Sequence, residues 1–218
     1  MRSFGYILDT SAQMRVHTVF AVVLSLLAGP ALARGAAPER FENATAGIAL
    51  VRPEGWQTAS LQTVQQNRER VQLSDAELQA AMLRTATAPL FVFTKHSEPY
   101  PDVNPSIQVT LRPLGTLAGS RPTDVLKAAV GVLQKALADF AFVTAIRDVE
   151  VSGLPAAHMR ATYTLKNRGG SEYKVMTRMW LVPRGAYAFL LAMSGPQNGP
   201  DVSEPEFADT LASISIQK

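Results

Sequence analysis

Along SIQVTLRPL, residues 106–114, Ile107, Val109 and Leu111 alternate with Gln108, Thr110 and Arg112. A period of two puts one set of side chains on each face of a strand, so the stretch predicts a half-buried strand. Further on the period lengthens. In RPTDVLKAAVGVLQKALADF, 121–140, Val125, Leu126, Ala129, Val130, Leu133, Ala136, Leu137 and Phe140 form one stripe. Pro122 suits a first turn and Asp124 the positive end of the dipole, which predicts a long helix with an apolar core face.

Other segments follow the same two rules. GIALVRPEGWQ, 47–57, is a strand closed by a turn in which Pro53 fixes φ and Gly55 supplies a φ that other residues resist. Trp56 is expected to fold back onto the sheet as a core anchor, its alternative being a solvent-facing platform for a ligand. Residues 60–86 read as two helical pieces, the second opening on a Ser74 and Glu77 capping box with Leu78, Ala81 and Met82 on its apolar side. PLFVFTKH, 89–96, is a strand and SEPYPDVNP, 97–105, a loop. After the long helix come four strands, FVTAIRDVEV, AAHMRATYTLK, SEYKVMTRMWLV and AYAFLLAM, joined by SGLP, NRGG and PRG turns. EPEFADTLASISI closes the chain as a short amphipathic helix with Phe207, Leu211 and Ile214 inward. This order predicts an α+β fold, an antiparallel β-sheet with helices packed on it as an α/β/α sandwich.

The hairpin around Arg168, Gly169 and Gly170 fixes a register. With these three as the loop and Gly in the left-handed position, Asn167 pairs with Ser171. Leu165 then faces Tyr173, Tyr163 faces Val175 and Met159 faces Met179, which makes one apolar face beneath the long helix. The other face sets Thr164 beside Lys174, Arg160 beside Arg178 and His158 beside Trp180. Continuing through the PRG turn puts Tyr187, Phe189 and Leu191 beside Val182, Trp180 and Arg178 on that face.

Two directly opposed arginines disfavour pairing by several tenths of a kcal/mol, on the order of the like-charge penalty in sheets, unless an anion lies between them. His158, Arg160, Arg178, Trp180, Tyr187 and Phe189 are therefore the candidate face for an acidic partner or anionic ligand. The alternative is that a helix covers this face and the guanidinium groups reach its margin or pair with Asp or Glu.

Composition narrows the setting. Met14, Arg15 and His17 precede an apolar run ending in Ala31-Leu32-Ala33. A basic start, a short apolar stretch and a small-x-small site predict a signal peptide over 1–33, cleaved after Ala33, with Met14 as an alternative start to Met1. The run from Thr18 to Ala28 falls short of the roughly 20 residues that span a bilayer. No stable membrane anchor is therefore expected after cleavage. Residues 34–43, polar and Ala-rich, read as a flexible lead-in, and 44–218 as a single domain. Cysteine is absent, which excludes disulfides, thiol chemistry and a lipidated Cys and suits a periplasmic or secreted protein. The net charge is only +3, without a basic run, so nucleic acid is not an expected partner.

Several phrases together resemble a known family: GIALVRPEGWQ, NPSIQV, VSGLPAAHMRATYTLKNRGG, RGAYAFLLAMSGP and FADTLASISI. They resemble the PsbP-like superfamily, which groups the extrinsic photosystem protein with DcrB-type bacterial envelope proteins and a yeast nuclear-import factor. The resemblance spans nearly all of 44–218 and implies a PsbP-like domain that works by interaction, since its motifs are structural. The chain departs from DcrB-type members in lacking the lipidated Cys, and nothing in it points to a photosynthetic host.

Chemistry-bearing patterns are sparse. Beyond Ala33 the histidines are His96 and His158, on different strands and in no metal-ligand spacing. A Gly-x-Ser-x-Gly elbow and a phosphate loop are absent. Asp139, Asp148 and Glu150 could pass for paired carboxylates or for a solvated strand face. Asn43-Ala44-Thr45 matches a glycosylation acceptor, relevant only on a eukaryotic secretory route. No catalytic residue, cofactor or metal is expected. The expected function is a non-catalytic binding domain of the bacterial envelope whose partner is an envelope protein or acidic ligand. Its rivals are a small hydrolase or isomerase with a carboxylate near His158 or His96, and a carrier of a small hydrophobic ligand.

Overall fold

The computed structural model describes residues 38–72, 88–167 and 169–217. The leader expected over 1–33, the helical piece expected from Ser74 to Met82 and Arg168 lie outside the described residues. Eleven strands run in chain order among these residues: β1 (Glu39–Asn43), β2 (Ile48–Arg52), β3 (Gln57–Thr58), β4 (Val71–Gln72), β5 (Phe91–Thr94), β6 (Ser106–Pro113), β7 (Ala138–Val151), β8 (Leu154–Asn167), β9 (Glu172–Arg184), β10 (Tyr187–Pro196) and β11 (Ser215–Ile216). The helices are α1 (Leu61–Arg70), α2 (Pro122–Ala136) and α3 (Glu204–Ser213).

An eight-stranded sheet runs β3-β5-β6-β10-β9-β8, with β4 and β7 both pairing β8, and a three-stranded sheet runs β1-β2-β11. All their pairings are antiparallel. The architecture is the expected α+β one, with each face of the large sheet building its own core. On one face α2 lays Val125, Leu126, Val130 and Leu133 over Met159, Tyr163, Leu165, Val175 and Met179. On the other, the small sheet and α3 bring Ile48, Leu50, Phe207 and Ile214 against Trp180, Val182, Phe189 and Leu191. Trp56 belongs to this second core, 1% exposed and edge-on to Phe207, so it is an anchor and not a surface platform.

The β8–β9 register follows the parity argument residue by residue. Asn167 N–H donates to Ser171 O, Gly170 has φ +84°, and Met159 stands opposite Met179, Arg160 opposite Arg178 and His158 opposite Trp180. The β9–β10 register differs from the expected one by two residues. The turn is Gly185-Ala186, with Gly185 at φ +61°, so Phe189 lies opposite Val182 and Leu191 opposite Trp180. A shift of two keeps every side chain on its expected face, which is why the apolar pattern could not expose it.

Two boundaries and one burial pattern also change. The α2 stripe was expected to reach Phe140, but Leu137 is already extended and β7 begins at Ala138. Leu137 and Phe140 keep their place against the same core from a strand, so the stripe spans a change of secondary structure. Glu39–Asn43, expected within the flexible lead-in over 34–43, instead form β1, whose Phe41 packs against Phe93 at 4.9 Å between ring centres. Finally, β6 is buried on both faces, Gln108, Thr110 and Arg112 included, because it runs between β5 and β10 under a closed layer on either side.

Candidate functional site

The opposed arginines are the starting point. Arg160 and Arg178 project from neighbouring strands toward α3, whose first residue, Glu204, is followed by Pro205 at the N-terminal turn. Glu204 Oε1 accepts from Arg160 Nη2 at 2.7 Å, Arg178 Nε donates to Oε2 at 3.0 Å, and Arg178 Nη2 closes a second bond to Oε1. The carboxylate thus takes a two-pronged grip from Arg178 and one bond from Arg160, the geometry in which guanidinium and carboxylate bind most strongly. Burial alone would push the Glu204 carboxyl up, but hydrogen bonds and charge from Arg178, then Arg160, outweigh it and hold it below its ordinary range. The Arg178 guanidinium also lies 5.0 Å from the centre of the Phe207 ring.

Behind this ion cluster His158 stacks on Trp180 with ring centres 4.4 Å apart, and its Nδ1–H donates to Met179 O at 3.1 Å. Burial pushes the His158 pKa down; the Met179 bond opposes this, and the charges of Arg147, Arg160 and Arg178 add to it. Arg147 stands opposite His158 on β7, exposed, with no ion pair among the described residues. So of the six expected residues His158, Arg160, Arg178 and Trp180 come together, and all but Arg160 are buried. Phe189 is buried in the core, and Tyr187, 49% exposed, lies at the far end of the sheet beside the Gly185-Ala186 turn.

A second set of polar side chains adjoins the first through the loop that leads into α3. Asp201 accepts from the Tyr100 hydroxyl at 2.7 Å and lies 3.0 Å from His96 Nε2, while the His96 and Tyr100 rings stack at 4.3 Å. Lys95 Nζ donates to Glu206 at 2.8 Å and to Ser203 Oγ at 3.1 Å, and lies 3.7 Å from Asp201. Burial would raise the Asp201 pKa, yet the Tyr100 and His96 hydrogen bonds and the nearby cations carry it below the usual range. The Tyr100 phenol is pushed up to about 12 by burial and then by Asp201.

Sequence reading did not find Glu204, Asp201, Tyr100 or Lys95. A signal existed for Glu204, since a carboxylate in the first turn of a helix expected to cover the sheet is a natural answer to two opposed cations. Asp139, read as a possible partner of Asp148 and Glu150, is instead engaged by Thr164 and Lys174. Among the described residues no group of three His, Cys, Asp or Glu side chains could hold a metal ion, and no helix is long and apolar enough to cross a membrane.

No protein-family model matches the chain, and no curated protein matches it either. Among solved structures the chain is similar to LpqN, involved in cell envelope biogenesis of Mycobacterium tuberculosis, at 15% identity and a TM-score of 0.49 over 78% of this chain and 83% of that one. It is similar to PsbP (CyanoP) of Synechocystis sp. PCC 6803 at 12% identity and a TM-score of 0.48, over 87% of this chain and 98% of that one. A Bacteroides thetaiotaomicron structure aligns at 14% identity and a TM-score of 0.47 over 84% of this chain, which spans about half, 49%, of that protein's length.

Proposed function

We propose that this chain is an exported, non-catalytic binding domain of the bacterial cell envelope that engages an acidic partner through the rim of the Arg147, Arg160 and Arg178 face. One observation carries the reading: among the described residues, Arg147, Arg160 and Arg178 lie on one sheet face, and the single carboxylate of Glu204 pairs with only the latter two. The surplus positive charge favours an acidic surface and steers its approach. Export is supported by the Arg15 start, the apolar run and the Ala31-Leu32-Ala33 end of 1–33.

The rival reading, an enzyme, has one observation in its favour, the 3.0 Å approach of His96 to Asp201. Both Asp201 oxygens, however, already face Tyr100, His96 and Lys95, which suits a clasp between loops better than a free general base. Two measurements test the proposal. Cell fractionation followed by intact mass should find the protein in the periplasm beginning at Arg34; a cytoplasmic protein with an intact leader would overturn export. A photo-crosslinking residue at Thr144, which stands opposite Arg160 on β7, should capture an acidic envelope protein, and R147S/R160S should abolish the crosslink. Capture unaffected by that double change would remove the face from the interaction.

A further inference from the structure

We infer that Glu204 occupies the seat of a partner's carboxylate, and that Arg160 and Arg178 form a receptor for an acidic peptide segment that this residue keeps filled until the partner displaces it. The inference rests on the acidic-partner reading above and adds the ligand chemistry and the means by which the site opens.

The receptor and its occupant differ in how they are held. The Arg178 side chain is only 3% exposed and is fixed between its strand neighbours and the Phe207 ring, whereas the Glu204 side chain is 45% exposed. The cation is built into the sheet and the anion can be reached from solvent. Vacating the site needs only a rotation of the Glu204 side chain, because α3 stays anchored by buried Phe207 and by the Lys95 bond to Glu206. Ser203, the residue before Glu204, sits at φ +58° with no side-chain cap on the helix, its hydroxyl engaged with Lys95 and Asp201 O instead. The backbone leading into Glu204 is thus held from the loop side, independently of the arginines.

Donor capacity exceeds what Glu204 can use. Arg178 Nη1 and Arg160 Nε are buried without a hydrogen-bond partner among the described residues, a costly condition for guanidinium groups. Arg147, exposed and without an ion pair among the described residues, flanks the pair on the neighbouring strand. A ligand with two or more carboxylates fits the charge that faces outward: one takes over the two-pronged grip on Arg178 Nε and Nη2 and a second reaches exposed Arg147. The occupant now in the seat is a carboxylate, which makes a Glu- or Asp-bearing segment the ligand that reproduces its contacts; a guanidinium fork also takes phosphate in two-pronged fashion, so phosphate is the comparison that tests the assignment.

The test is titration of acetyl-tetraglutamate amide into the mature chain at low salt by isothermal calorimetry, with inorganic phosphate as the comparison. If Glu204 leaves the seat open about a tenth of the time, its removal tightens apparent binding about tenfold. E204Q should then bind the peptide about tenfold more tightly than the wild type, and E204D, one methylene too short to hold both arginines, should shift the same way. R160S in the E204Q background should lose the gain. Urea midpoints confirm that each variant is folded, and E204D preserves the test if E204Q is not. Binding by the wild type that is lost in R147S but unchanged in E204Q and E204D would overturn the occupant role of Glu204 and leave the acidic-partner reading standing. Peptide binding insensitive to both Arg147 and Arg160 would overturn the two together. Phosphate bound by E204Q as tightly as the peptide would overturn the carboxylate assignment.

Discussion

Arg160 and Arg178 stand directly opposite one another on β8 and β9, and the Glu204 carboxylate from α3 lies between them. Like charges in a cross-strand pair repel, so the pairing is tolerable because a third element supplies the counterion. The two arginines are not equivalent. Arg178 is buried and would lose both of its bonds to Glu204, while Arg160, a third exposed, is already partly solvated and would lose one. E204A should therefore cost about 1–3 kcal/mol in urea unfolding, the penalty of a buried charged donor left unmade. R160A should cost less than about 1 kcal/mol, as for an exposed pair. Combining E204A with R178M should recover much of the loss, since removing both partners of a buried pair costs less than removing one. Equal losses in E204A and R160A would mean that the asymmetry is wrong.

His158 makes stability depend on pH. Its folded pKa lies below the ordinary imidazole value of 6.5, so between the two values the unfolded chain binds more protons than the folded one. The contribution is whole above pH 6.5 and is lost as pH falls from there through the folded value. Equilibrium unfolding from pH 7 to pH 5 should show falling stability, and the fall should be smaller in H158F, which keeps an aromatic ring against Trp180 and cannot take up a proton. A wild type and an H158F variant with parallel pH profiles would exclude His158 as the cause.

What could be read in the chain and what could not divides along a physical line. The β8–β9 register followed from parity, because a slip by one residue would turn Met159, Tyr163 and Leu165 from the core to the opposite face. The same rule is blind to a slip by two, which is how Phe189 came to face Val182 and not Trp180. The apolar stripe of α2 fixed a face but not an end, since Leu137 and Phe140 reach the same core from a strand. At the candidate site the sequence carried the arginine pair, a local consequence of one hairpin. It did not carry the partners, because Glu204 lies 26 residues from Arg178, and Asp201 lies 101 residues from Tyr100. Those contacts depend on how α3 and its loop dock, which no local periodicity encodes.

Asp201 ties the β5–β6 loop to the loop before α3. Its folded pKa is below the ordinary carboxyl value of 3.8, so its contribution is complete above pH 3.8 and disappears as pH falls through the folded value. D201N should cost about 1–2 kcal/mol at pH 7, the scale of hydrogen bonds to a partly exposed charge, and the gap to the wild type should close in strong acid. Tyr100 gives the opposite limb. With its phenol raised to about 12 from 10.0, the folded chain holds the proton that the unfolded chain releases, so this contribution is complete below pH 10 and lost as pH rises toward 12. Phenolate absorbance should show one fewer late-titrating tyrosine in Y100F, and D201N should bring Tyr100 back toward 10. A Tyr100 that titrates at its ordinary value in the wild type would break the link between the two loops.

Trp56 closes the turn that follows β2 and supports the ground on which α3 stands. Its amide donates to Pro53 O at 3.2 Å across a turn whose Gly55 has φ +78°, and the ring passes under α3 to meet Phe207, centre to centre at 5.9 Å. Phe207 in turn carries the Arg178 guanidinium on its ring, so two ring contacts lead from the turn after β2 to the ion cluster. Removing the indole empties a fully buried position, which typically costs about 3–5 kcal/mol for Trp to Ala. W56A should therefore lower stability by about that much, and W56F by less, since a smaller ring still fills part of the space. The more telling measurement is coupling: in a double-mutant cycle W56F and R178M should fail to add by at least about 0.5 kcal/mol, because both act through Phe207. Strict additivity would mean that Trp56 staples the core without bearing on where α3 places Glu204.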